Sequence, residues 1–431
     1  MIFGIIVTIF IYLFPVFAGI LNLKYKSEMI RNGILVYCAL VTALAWQVGA
    51  DFNAYLGIID SKTSLILTPV EPLTETIYFL TNKIGEPRIF WFVLALITYS
   101  SLFFFVRGLE ESEKDGTIIL FFLIFGFFGI ALRQMTSAAV SLLAIQGYYE
   151  KQYKKAGFFL LFAWSIHKTA IMVPLIPIVG FVLKKQNKYI LTLVPVTTTI
   201  VTTTLQGTIY HIFAPIPLLG KYWMKLMVYE EGVGVSVMTI VISIGFGLVY
   251  LFTSDILRKS LSEKNYEFYL LGIFGFGVIF GFTSIHVARL MVTFGATGLP
   301  AFTHFFRKEE YSVVQLPTFA RLYAQSVVVV TVIFIVILLA EYHYVPYNIS
   351  KDINWQSGDG LEYKLGDYER GEYRQRYPRN EFIETLLIPS VLGLLLATTL
   401  SYEILHLWKR MKGQNLDYET FNTLSIAIEE P

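Results

Sequence analysis

The chain has one cysteine, Cys38, among 431 residues, so no intrachain disulfide can form, and its place inside an apolar run says nothing about redox compartment. Charge is scarce too: Asp, Glu, Lys and Arg make up 15% of the residues and nearly cancel, at a net +2. Several chemistries have no residues to carry them. There is no G-x-x-x-x-G-K-[ST] phosphate loop, no H-E-x-x-H and no cluster of Cys and His at ligand spacing, so neither a metal nor a cofactor is expected. No basic stripe lies outside the loop clusters described below, which excludes nucleic acid as a partner.

What is abundant is apolar. Hydrophobic residues make up 55% of the chain, with 36 Phe and 27 Tyr, and the mean hydropathy is +0.59. That composition implies an integral membrane protein, all-α and polytopic. The apolar segment at residues 2–22 lacks a basic start and a small-residue cleavage site, so it reads as a retained span rather than a signal peptide. Apolar runs recur to about residue 408, so residues 1–412 read as a single transmembrane domain and residues 413–431 as a disordered, acidic cytoplasmic tail.

Cytoplasmic loops collect Lys and Arg. Seven short segments carry them: Lys24/Lys26/Arg31, Arg107/Lys114, Lys151/Lys154/Lys155, Lys184/Lys185/Lys188, Arg258/Lys259/Lys264, Arg307/Lys308/Arg321 and Lys409/Arg410/Lys412. All seven are placed inside. Three loops fall outside: 51–86 with five acids against two lysines, 208–232, which is neutral, and 342–381, placed there by parity. The count is about 13 transmembrane segments (range about 11 to 14), with the N-terminus outside and the C-terminus cytoplasmic.

Two inside loops cannot be joined by one crossing, so three stretches must go out and come back. Residues 156–183 have one polar break, His167-Lys168, with limbs of about 11 and 15 residues, shorter than the roughly 20 of a full crossing. Residues 117–149 break at Arg133-Gln134, and residues 266–305 break between His286 and Arg289. Three short paired hairpins would thus deliver Arg133, His167 and Arg289 to the outer side at limited depth, where a water-filled cavity tolerates them. In the first outer loop, Pro72 suits the first helical position, and Leu73, Ile77, Leu80 and Ile84 recur as an amphipathic stripe. Glu71 and Glu75 sit where that helix's dipole favours acids. The spacing Gly277 to Gly281 suits close helix packing.

Each residue also has a structural reading. Arg133 and Arg289 could snorkel to headgroups, His167 could be a satisfied core histidine, and Asp51 could cap a loop. The aromatics are chiefly interfacial belts and core. Coincidence favours a site, because three hairpins break on one side with a guanidinium or an imidazole. Two arginines at one cavity match a diphosphate, since guanidinium forks grip phosphate oxygens bidentately.

Taken in order, "DFNAY", "EPLTETIYFLTNKIG", "LRQMTSAAV", "SIHKTAIMVPLIPI" and "ARLMVTF" resemble the EpsG/Wzy-type polysaccharide repeat-unit polymerases of bacterial inner membranes. The resemblance spans residues 51 to about 295, and the Arg-Gln pair with His-x-[ST]-Ala is its most specific part. It implies a GT-C-like fold with an outer-face cavity, in the bacterial cytoplasmic membrane. It also implies a glycosyltransferase that builds O-antigen, capsule or exopolysaccharide. The growing glycan on undecaprenyl pyrophosphate would be the donor, and a hydroxyl of a new lipid-linked repeat unit the acceptor. Flippase and chain-length regulator proteins would be its partners, alongside membrane lipid. On this reading Arg133 and Arg289 stabilise the departing diphosphate, and Gln134 and Tyr55 orient substrate. His167 is the first choice of proton acceptor, with Asp51 or Glu71 as alternatives.

The competing class is a lipid-linked oligosaccharide flippase or other transporter, which should show internal repeats and charges along a transmembrane path. Neither is evident. A mannosyltransferase-like enzyme using a polyprenyl phosphate sugar would want an acidic pair in the first outer loop, and Asp51 and Asp60 are too far apart for that.

Overall fold

The computed structural model describes residues 14–19, 21–22, 25–44, 52–61, 71–126, 132–204, 237–281, 285–306 and 316–326. Segments 208–232 and 342–381, expected as outer loops, and 413–431, expected as a cytoplasmic tail, lie outside these residues. Every described element is helical: α1 (Glu28–Leu44), α2 (Phe52–Ser61), α3 (Pro72–Ile84), α4 (Arg88–Arg107), α5 (Glu111–Phe121), α6 (Leu132–Tyr149), α7 (Tyr153–Ile166), α8 (Leu175–Lys185), α9 (Lys188–Thr204), α10 (Val237–Ser260), α11 (Glu263–Gly281) and α12 (Ile285–Phe302). A π turn, Phe122–Gly126, continues α5, and 3-10 turns occupy Lys168–Met172 and Thr303–Phe306. The protein is all-α among the described residues. One of these helices, α4, is by its length and apolar composition able to cross a membrane.

α6 is central. Its residues Gln134 to Gly147 are buried without a break, as expected of a helix with partners on every side. Thr136, Ser137, Ala138, Ala139 and Ser141 keep its surface thin, so α4, α7 and α12 pack directly on it. Their hydroxyls find main-chain or hydroxyl partners: Thr98 Oγ1 of α4 donates to Thr136 Oγ1 at 2.8 Å, and Ser141 Oγ donates to the Ser137 carbonyl at 2.7 Å. α1 flanks α4, and α9, α10 and α11 form a second layer joined to the first through α12.

The basic segments gather at one end. Arg31 Nε donates to Asp115 at 2.7 Å, and its fork also pairs with Glu111. A hydrogen bond from Lys114, supported by Arg31, holds the Glu111 carboxyl below the usual carboxylate range against the opposing effect of burial. Lys184 pairs with Glu263 and Glu267, Lys188 with Asp255, and Tyr149 Oη donates to Glu267 at 2.8 Å. Asn265 Nδ2 donates to Glu113 at 3.0 Å, and His304 Nε2 lies 3.5 Å from the same carboxylate. These pairs bring residues from six of the seven basic segments, or their immediate neighbours, to one end of the helices.

One expectation needs correcting. The buried face of α3 is Thr74, Ile77, Tyr78 and Thr81, whereas Leu80 and Ile84 are exposed. The inward face carries groups that bond or stack with neighbours, and the apolar stripe is turned only partly inward. A close helix contact in the second half falls at Gly272 with Gly298 and at Gly275 with Gly295; the expected Gly277–Gly281 spacing lies outside the residues whose side-chain surroundings are described. A Cβ built on Gly298 would lie 2.2 Å from the Gly272 Cα, and one on Gly275 would lie 2.4 Å from the Gly295 nitrogen. Main chain touches main chain there, so no rotamer change can make room.

A pair of alanine substitutions checks this contact. Gly157 of α7 has nothing within 4 Å of a built Cβ, so Gly157→Ala should hold or gain stability by about 0.5–1 kcal/mol. Gly298→Ala should lose at least about 2 kcal/mol. Thermal unfolding of the detergent-solubilised protein reads both, and equal midpoints would contradict the packing described.

Candidate active site

α7 ends where its register is broken by one residue. His167 leaves the helix with extended backbone, φ −151° and ψ 133°, and the chain then makes the 3-10 turn Lys168–Met172 before Pro174 starts α8. The sequence break at His167-Lys168 therefore is a structural break. Ending a helix inside packed protein orphans carbonyls. Neighbouring hydroxyls supply the partners: Thr74 Oγ1 donates to the Ile166 carbonyl at 2.7 Å, and Ser137 Oγ donates to the Ala163 carbonyl at 3.0 Å and the His167 carbonyl at 3.4 Å.

Glu71 stands beside this turn. It precedes α3 with a left-handed backbone, φ 65° and ψ 44°, a conformation that costs a non-glycine residue about 1 kcal/mol or more. Its carboxylate does not cap its own helix. Instead, Oε2 accepts from Arg133 Nη1 at 2.6 Å, and Oε1 accepts from the Lys168 main-chain N–H at 3.1 Å and lies 3.8 Å from His167 Nε2. Arg133, half of the expected break, lies in the first turn of α6. Its guanidinium rests over two phenol rings, 5.4 Å from the Tyr55 centroid and 5.9 Å from that of Tyr78. Tyr78 stacks on Phe90 at 4.8 Å, and Tyr55 packs on Phe90 at 5.1 Å. Cation–π attraction and the carboxylate together fix the fork.

Three of the residues singled out from sequence thus converge: Glu71, Arg133 and His167. Tyr55 joins them as the floor beneath Arg133 and is 4% exposed, and Gln134 is buried in α6 at 1%. Asp51 lies outside the described residues. Position 289 falls in the second turn of α12, a helix that packs on α6 and on the 3-10 turn, and its side chain lies outside the described residues. Thr74, Ser137 and Thr169 belong to the same cluster; Thr74 and Ser137 had no role in the sequence reading, and Thr169 entered it only as the third residue of His-x-[ST]-Ala, with no task assigned. A signal was present: Ser137 follows Arg133 by four residues, one helical turn on the same face, and Thr169 follows His167 by two.

The site is electrically mixed. One carboxylate is balanced by one guanidinium, with an imidazole and main-chain N–H groups around it. Such a set suits an anionic group and a hydroxyl. Among the described residues no three His, Cys, Asp or Glu side chains converge as metal ligands would.

The EpsG family model matches residues 33–349, which is more than half of the chain and contains all of the residues named above. The chain belongs to the EpsG family. This EpsG-family chain is accordingly a membrane protein of polysaccharide biosynthesis, of the polymerase type associated with that family and acting on lipid-linked glycans. No curated protein and no solved structure matches it.

The Glu71–Arg133 pair should behave as a unit. Arg133→Met leaves a mostly buried carboxylate without its charge partner, so it should destabilise more than the double variant Arg133→Met/Glu71→Gln. The coupling should be about 1–3 kcal/mol in a double-mutant cycle by denaturant unfolding. Additive effects would show that the two side chains do not depend on each other.

Proposed function

We propose that this EpsG-family protein joins lipid-linked repeat units on the outer face of a bacterial cytoplasmic membrane, as a glycosyltransferase that needs no metal. The donor is the growing glycan on undecaprenyl pyrophosphate, and the acceptor is a hydroxyl of the next lipid-linked unit. The product is O-antigen, capsule or exopolysaccharide. The observation that carries this reading is the meeting of Arg133, Glu71 and His167 at a helix break, at the opposite end of α6 and α7 from the ionic clusters. The run of α6 from Arg133 to Tyr149 separates the two ends by about 24 Å.

In the reaction the bond from the anomeric carbon to the diphosphate breaks and negative charge grows on the leaving oxygens. A guanidinium carries five N–H donors, of which Glu71 takes one through Nη1, so the Arg133 fork has donors left to set against that charge. Arg289 is the second cation in this reading. His167 takes the proton of the attacking hydroxyl, and Glu71 faces its other ring nitrogen and favours the cation that results. With both carboxylate oxygens engaged by Arg133 and the Lys168 N–H, Glu71 is better suited to hold the imidazole than to act as the base itself.

A gel of surface polysaccharide tests the reading. A strain lacking the protein is complemented with wild type, Arg133→Ala, His167→Ala or Arg289→Ala at matched membrane levels. The expected result is single repeat units without a ladder in each variant. Loss of single units in the deletion strain itself would favour a flippase, and full ladders from all three variants would reject this site.

A further inference from the structure

The hydrogen bonds around His167 decide which nitrogen carries its proton. A main-chain N–H can only donate, and the Thr169 N–H donates to His167 Nδ1 at 3.3 Å. Nδ1 therefore holds a lone pair rather than a proton. Thr169 Oγ1 lies 2.8 Å from the same nitrogen, so in neutral His167 the hydroxyl must be the donor as well. The ring proton is then on Nε2, the nitrogen that faces Glu71 Oε1 at 3.8 Å. The Nδ1 lone pair is taken and Nε2 carries the proton, so a sugar hydroxyl that approached the ring would meet no open lone pair. The Thr169 oxygen differs, because a hydroxyl that donates one hydrogen bond can accept others.

From this arrangement we infer that Thr169 is the catalytic residue that touches the attacking hydroxyl, and that His167 receives the proton through it. The inference rests on the polymerase reading and deepens it. As the acceptor oxygen forms its bond to the anomeric carbon, its proton passes to Thr169 Oγ, and the proton of Thr169 passes to His167 Nδ1. The electron pair of the breaking anomeric C–O bond leaves with the diphosphate. His167 ends as an imidazolium whose Nδ1–H points at Thr169 Oγ and whose Nε2–H points at the Glu71 carboxylate. The Thr169 N–H then has a proton in front of it instead of a lone pair. That repulsion favours transfer of the Nδ1 proton to Thr169 Oγ as Thr169 gives its own proton to the released diphosphate or to water, so the turn that holds His167 also resets it.

Two experiments separate this inference from the reading beneath it. The first needs no substrate: nitrogen-15 NMR of the full chain in nanodiscs at neutral pH, labelled on histidine, with the His167 signals identified by their loss in His167→Gln. The expected pattern is a protonated Nε2 and an unprotonated, hydrogen-bonded Nδ1, and a protonated Nδ1 would overturn the relay. The second is polymer formation in the complemented deletion strain. Thr169→Val keeps the shape and the main-chain N–H but removes the hydroxyl, and should cut polymer formed per unit time by about 100-fold. Thr169→Ser should restore the ladder to within about threefold of wild type. If His167→Gln loses the ladder while Thr169→Val keeps it, the relay is wrong and the polymerase site stands. If His167→Gln itself keeps the ladder, the polymerase site fails and the relay with it.

Discussion

The carboxylate of Glu71 is the constraint on which one end of this protein depends. It neutralises Arg133 of α6, accepts the Lys168 N–H that begins the 3-10 turn, and faces His167 at the end of α7. Three stretches far apart in the chain are joined through two oxygen atoms. A mostly buried charge is tolerated only when it is paired and hydrogen-bonded, so the partners cannot drift without cost. The left-handed backbone at Glu71 fits this account: the strain of that conformation is offset by contacts that an ordinary helix start would not make.

The opposite end is built differently. There the charges form several separate pairs, buried around Arg31 and Glu113 and partly exposed around Lys184 and Glu263. Between the ends lie small residues and hydroxyls, and the helices are held by close packing and by serine and threonine bonds to main chain. This division explains why α7 can stop short. Ser137 and Thr74 satisfy the carbonyls that a helix end leaves behind, so the break at His167 does not need water or a longer helix to be stable.

What was legible in the sequence followed from contrast. A histidine and a lysine within an apolar run marked the end of α7, and Pro72 after Glu71 marked the start of α3. The ordered motifs pointed to the family that residues 33–349 match. The pairing of Arg133 with Glu71 was not legible, because 62 residues separate them and nothing local in either segment names the other. The inward face of α3 was misread because apolar residues need not turn inward in a protein whose surroundings are apolar, so Leu80 and Ile84 carry no directional signal. The seam at Gly272, Gly275, Gly295 and Gly298 was not legible for a related reason. Spacing marks where a helix could approach a neighbour, whereas the actual contact depends on which glycines of both helices come level.

That seam has a mechanical meaning. Where α11 and α12 meet at Gly272, Gly275, Gly295 and Gly298, the two backbones come into direct contact. The pair is a stiff plank. α12, which packs on the 3-10 turn Lys168–Met172, leads at its far end into the turn that holds His304 against Glu113. In such a backbone contact there is no rotamer to yield, so a shift of either helix presses directly on the main chain of the other.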